Sequence, residues 1–247
     1  MTYGLVLVSY YLRSVAAVRE LLDAFDADVE RHHGQVLVID NAGVLPVGAV
    51  VDDRRKIFVV RGSNQWWEFS GWLEGLGLVK DWPSSMVLTL LNDSYARNWT
   101  ITSASRPIIF SMYDAAEKGR IACWLDNFSL FRRPVFSRRL NSRLLLVPAQ
   151  WRDIVAQSLT DAIHHCSSRH GEPTVLFTAA ELSRLRAWMS SQANRWDPKT
   201  LPSRLQRIFL EHHMLDSVPQ ELVAAEPATY VGTLVYAIGR RLLSERR

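Results

Sequence analysis

The sequence predicts an α/β fold: a mostly parallel, Rossmann-like sheet flanked by helices, with a helical C-terminal portion. Three observations lead there. Short apolar runs rich in β-branched residues alternate with segments whose apolar residues recur at helical spacing, as far as Trp99. The first strand, helix and strand follow one another closely enough to form a βαβ unit, which brings a parallel sheet and a right-handed crossover. From Gln150 onward helical patterns dominate. We expect residues 1–147 to form the α/β core and residues 148–247 a helical portion packed on it as one unit.

"YGLVLVS" (Tyr3 to Ser9) reads as a buried strand. A helix follows in which Val15, Val18, Leu21, Leu22 and Phe25 share one face, with Ser14 as its N-cap. "QVLVID" (Gln35 to Asp40) and "KIFVV" (Lys56 to Val60) are the next strands. A second helix carries Phe69, Trp72, Leu73 and Leu76 on one face, and "SMVLTLLN" is a strand ending at Asn92. "PIIFSMYD" and "IACWLDNFSLF" read as strands of a mixed sheet. Helices are expected at Trp151 to Cys166, Ala179 to near Ser191, and Ser203 to near Leu215. Thr178 and Glu181 stand at the spacing of a capping box at the start of the second of these.

Composition narrows the class. The chain has 247 residues, 48% of them hydrophobic and 22% charged, as in an ordinary globular protein able to bury a sizeable core. The opening lacks the basic leader of a signal peptide. "ATYVGTLVYAIG" is shorter than the roughly 20 residues that span a bilayer, so a cytoplasmic protein is expected. Cys123 and Cys166 are expected as buried thiols. A net charge of +4 is concentrated partly in "FRRPVFSRRLNSR" and in the tail "GRRLLSERR". Such clusters attract phosphates. No aromatic-basic motif, zinc finger or coherent basic helix points to nucleic acid.

In an open parallel sheet, ligands bind beyond the carboxyl ends of the strands. Three polar groups of residues stand at such ends: Ser9 with Tyr10, Asp40 with Asn41, and Asn92 with Asp93 and Ser94. Each alone reads as a turn. Acids at two strand ends on one rim are a stronger signal.

These residues resemble a known family. "LVSYYLRSVAAVRELLDAFDADVERHHGQVLVIDNAG" is similar to the opening of GT-A-fold glycosyltransferases of the large inverting kind, in which one strand ends in a Ser/Thr-Tyr pair and the next in Val-Asp-Asn. "VVRGSNQWWEFSGWLEGL" resembles their Asn-containing loop and helix, placing Asn64 at the donor. "VLTLLNDS" stands where that fold carries Asp-x-Asp, in the form found in the rhamnan-synthesis-F-like branch. "RRLNSRLLLV" resembles an acceptor-side segment, and "IFLEHHML" a Glu-bearing C-terminal helix.

The resemblance implies a hexosyltransferase-type enzyme that moves sugar from a nucleotide-sugar donor to a glycan or lipid-linked acceptor in bacterial surface polysaccharide synthesis, with inversion. Ser9, Tyr10, Asp40, Asn64, Asn92 and Ser94 would bind the donor, Asp40 by accepting N–H bonds from its base. Asp93 would ligate Mg²⁺ or Mn²⁺ bridging the donor phosphates, with His213 as an additional ligand. Only one of the two usual carboxylates is present, so basic residues between Arg132 and Arg143 are an alternative source of positive charge. The general base is either Glu211 or Asp126. "QANRW" matches the Gln-x-x-Arg-Trp of processive synthases, but the transmembrane helices that accompany it there are not visible, and it reads as a helix end. Trp66 and Trp67 read either as core residues or as sugar or base contacts. Peripheral contact at the inner membrane face is expected of Ala228 to Arg247. The thinned metal motif leaves open a non-catalytic GT-A-like partner subunit that keeps nucleotide binding.

Overall fold

The computed structural model describes residues 1–95, 101, 105–125, 140–168, 173–190 and 201–226. Strands β1 (Tyr3–Ser9), β2 (His33–Asp40), β4 (Lys56–Arg61) and β5 (Val87–Asn92) run parallel, joined by helices α1 (Val15–Val29) and α2 (Trp67–Leu78). The short strand β3 (Gly48–Val50) pairs antiparallel with β4 at the edge. Next come α3 (Arg106–Glu117), β6 (Ile121–Leu125), β7 (Leu140–Pro148), α4 (Arg152–Ser167), α5 (Ala179–Ser190), α6 (Leu201–His213) and β8 (Val223–Glu226). The sheet has eight strands in the order β3-β4-β2-β1-β5-β7-β6-β8. β7 is antiparallel to both neighbours, and β8 is parallel to β6. The fold is therefore α/β, with a mixed sheet flanked by helices.

Strand alternation sorts the core into two layers. Val6, Val8, Leu37, Ile39, Leu88 and Leu90 face α2, α4 and α6. Leu5, Leu7, Val36, Val38, Val87 and Leu91 face α1 and α3. Ser14 caps α1 as expected, its hydroxyl accepting from the Ala17 N–H at 3.1 Å. Thr178 and Glu181 form the reciprocal capping box of α5. Both cysteines are buried thiols. Gly71 and Gly75 let α2 lie directly on β1: a Cβ at Gly75 would stand 2.3 Å from Val6 Cγ1, and one at Gly71 2.7 Å from Val8 Cγ2.

One expectation is corrected. "PIIFSMYD" lies in helix α3: Ile108, Ile109, Met112, Tyr113 and Ala116 recur at helical spacing and are all buried. "RRLNSRLLLV", read above only for its resemblance, supplies the reversed strand β7 from Leu140 onward. No described helix is long and apolar enough to cross a membrane. Asp126, the basic residues Arg132 to Arg139, "QANRW" and Ala228 to Arg247 lie outside the described residues.

Candidate functional site

The sheet brings the three strand ends together. β1 lies between β2 and β5, with Ser9 opposite Asp40 and Val8 opposite Asn92. Side-chain parity then divides the rim. Ser9, Asp40 and Asp93 point to the α1–α3 side, while Tyr10, Asn41 and Asn92 point to the α2–α6 side.

On the first side both acids are buried. Asp40 is 0% exposed. Its Oδ1 accepts from the Gly43 N–H at 3.0 Å, and its Oδ2 from the Leu45 N–H at 2.7 Å and from Arg61 Nη1 at 2.7 Å. Neither oxygen faces a ligand in this arrangement; the carboxylate organises the turn after β2 and holds Arg61 at the end of β4. Asp93 is 2% exposed. Its Oδ2 accepts from the Ser9 hydroxyl at 3.2 Å and from the N–H groups of Tyr10 at 2.8 Å, Tyr11 and Leu12 at 3.1 Å. Its Oδ1 is buried with no hydrogen-bond partner. Burial pushes the Asp93 carboxyl above its ordinary value, although all four donors pull it down.

The other side carries a second polar group. Asn41 Nδ2 donates to the Tyr10 phenol oxygen at 2.8 Å and to the Trp67 carbonyl at 3.2 Å. Trp67 has a left-handed φ of 52°, an unusual conformation for a bulky residue, and its carbonyl also accepts from the Ser70 hydroxyl. Asn64 shares φ 52° in the exposed turn before α2. Glu68, in the first turn of α2, is buried and meets Arg207 Nη2 of α6 at 2.7 Å. Arg207 Nε lies 3.8 Å from Glu211 one turn on. Burial works to lower the Arg207 guanidinium, and the charges of Glu68 and Glu211 outweigh it, leaving it raised. Burial and the nearby Glu68 charge likewise raise the Tyr10 phenol.

Of the predicted residues, Ser9, Tyr10, Asp40, Asn92, Asp93 and Ser94 share one rim. Ser94 closes a turn onto Asn92, whose Oδ1 accepts both its N–H and its hydroxyl. Glu211 is connected to that rim through Arg207 and Glu68. His213 stands apart: it stacks on Phe209 at 4.1 Å and pairs with Asp216, on the flank of α6 where Phe209 also stacks on His165 of α4. Arg61, Glu68 and Arg207 were missed. The signals available were a lone acid opening an apolar helix in "WWEFSGW" and the four-residue spacing of Arg207 and Glu211.

Among the described residues, the protein side chains alone do not make a site for a resident Mg²⁺ or Mn²⁺. Those ions take several hard oxygen ligands. Asp93 has one oxygen filled by four donors and the other sealed inside. Among the described residues, no three His, Cys, Asp or Glu side chains gather to hold a metal ion.

No protein-family model matches the chain, and no curated protein matches it in sequence.

Proposed function

We propose that this protein is a GT-A-like glycosyltransferase that uses a nucleotide-sugar donor in bacterial surface polysaccharide synthesis, at the inner face of the membrane. The observation that carries the reading is the strand order. β4-β2-β1-β5 is the parallel half expected to receive a nucleotide, and it is continued by β7-β6-β8 with β7 alone reversed. That arrangement supports a GT-A sheet, and it sets Ser9–Tyr10, Asp40–Asn41 and Asn92–Ser94 side by side at the carboxyl rim, where ligands bind.

Transfer with inversion needs a base that takes the proton of the acceptor hydroxyl as its oxygen attacks the sugar carbon and the nucleoside diphosphate leaves. Glu211 is the candidate on the described residues, since α6 reaches the rim through Arg207 and Glu68. Donor contacts fall to Tyr10, Asn41, Asn64, Trp66 and Trp67, on or beside the α2–α6 side. With both acids of the opposite side enclosed, a non-catalytic nucleotide-binding partner subunit is the second reading.

A panel of nucleoside diphosphates in thermal unfolding, followed by assay of nucleoside diphosphate release from the matching nucleotide sugar, separates the readings. One stabilising nucleotide plus release that falls with Glu211→Gln supports the enzyme. Stabilisation without release supports the partner subunit. No stabilisation by any nucleotide sinks both.

A further inference from the structure

We propose that the turn Tyr10–Leu12 is a backbone anion cradle whose resident occupant is the Asp93 carboxylate, and that Asp93 tethers this turn to β5 rather than ligating a divalent cation. Three successive main-chain N–H groups and the Ser9 hydroxyl converge on one oxygen, Oδ2. Consecutive N–H groups turned to one point form a concave positive site of the kind that binds phosphates and carboxylates. Here the anion arrives from the neighbouring strand. Asp93 is 2% exposed, and its second oxygen is enclosed without a donor. Among the described residues, no three His, Cys, Asp or Glu side chains gather there to hold a divalent ion without oxygens brought by a ligand.

The same geometry explains an acid just beyond the end of a buried, largely apolar strand. The turn after β1 must leave the sheet and start α1 at Val15, so the N–H groups of Tyr10, Tyr11 and Leu12 lie between the strand and the helix. Asp93 satisfies all three, fixing the turn that positions Tyr10 and Tyr11 at the rim.

The test removes the occupant and offers a substitute. Asp93→Ala should melt several degrees below the wild type, and sodium formate, a free carboxylate of matching size, should recover part of that loss relative to sodium chloride at equal ionic strength. Formate should leave the wild-type melting temperature unchanged. Asp93→Asn, which keeps the shape and loses the charge, should also melt lower, and it stands in if the alanine variant does not fold. Titration of Mn²⁺ followed by its solution EPR signal should show no ion retained by the wild-type chain. Stoichiometric Mn²⁺ binding abolished in Asp93→Asn overturns the proposal. So does a folded alanine variant indifferent to formate, or an asparagine variant as stable as the wild type. None of these readouts involves nucleotide or sugar transfer, so the cradle and the glycosyltransferase reading stand or fall separately.

Discussion

Arg207 Nη2 lies 2.7 Å from Glu68 Oε1, and this contact joins α6 to the first turn of α2 across the rim of the sheet. Glu68 is buried while the guanidinium remains half in water. A charge-assisted bond of this kind is worth about 2 kcal/mol, at the low end of buried pairs because one partner stays solvated. Arg207→Met should therefore lower the stability measured by urea unfolding by about that amount. Adding Glu68→Met should return part of the loss, since the cost lies largely in a carboxylate deprived of its facing cation.

Acid should weaken the fold through His33. The ring is fully buried, with Nδ1 2.6 Å from Asp26 Oδ1 and Nε2 2.8 Å from Thr89 Oγ1, and with Tyr113, Arg55 and His32 close by. Burial lowers its pKa below the ordinary 6.5, outweighing the Asp26 charge. The folded chain resists a proton that the unfolded chain accepts, so stability is constant above that value and declines as pH falls below it. Asp26 is also lowered, because bonds from His33 and Arg55 outweigh its burial, and it removes further stability as pH falls below its ordinary 3.8. Urea midpoints at about pH 8 and about pH 5 should differ in the wild type, and His33→Gln should shrink the difference. Equal slopes in both chains would refute the assignment.

Two glycines of α2 should respond in opposite directions to alanine. At Gly75 the new methyl meets Val6 Cγ1, a fully buried core atom, so the helix must lift off β1 at a cost of about 1–3 kcal/mol. At Gly77 nothing lies within 4 Å, and the gain in helix propensity of up to about 1 kcal/mol is uncompensated. Thermal unfolding of the two variants checks the sign at each.

Much of this architecture was legible because its signals are local. β1, α1, α2 and β5 follow from almost unbroken apolar runs and helical spacing, and the Ser14 cap from a hydroxyl one residue before the helix. α3 was misread because "PIIF" alone fits a buried strand as well as a helix, and only Met112, Tyr113 and Ala116 complete the helical period. β3 and β8 are edge strands of three and four residues, too short to carry a pattern. At the rim, the sequence placed Asp40 and Asp93 at neighbouring strand ends. It did not reveal that both turn toward the α1–α3 side and accept chiefly from main-chain N–H groups, because those donors lie in turns with no side-chain signature. The link from Arg207 to Glu68 spans 139 positions and depends on how α6 docks, which no local pattern encodes.

Asp40 offers the sharpest separation between a residue that builds the rim and one that binds at it. Both of its oxygens accept, from Gly43 N–H, Leu45 N–H and Arg61 Nη1. Asparagine in its place must turn an NH₂ group toward one set of these donors, leaving donor against donor in a fully buried position. The loss should be about 2–3 kcal/mol, the cost of an unmet buried bond to a charged group. Arg61→Met should cost less, because its guanidinium is 48% exposed and the two main-chain donors remain on Asp40. An Asp40 serving chiefly to grip a nucleobase would give the reverse result: Asp40→Asn would unfold like the wild type and lose only its response to nucleotide. Urea unfolding of both variants, with and without any nucleoside diphosphate found to stabilise the wild type, decides between the two roles.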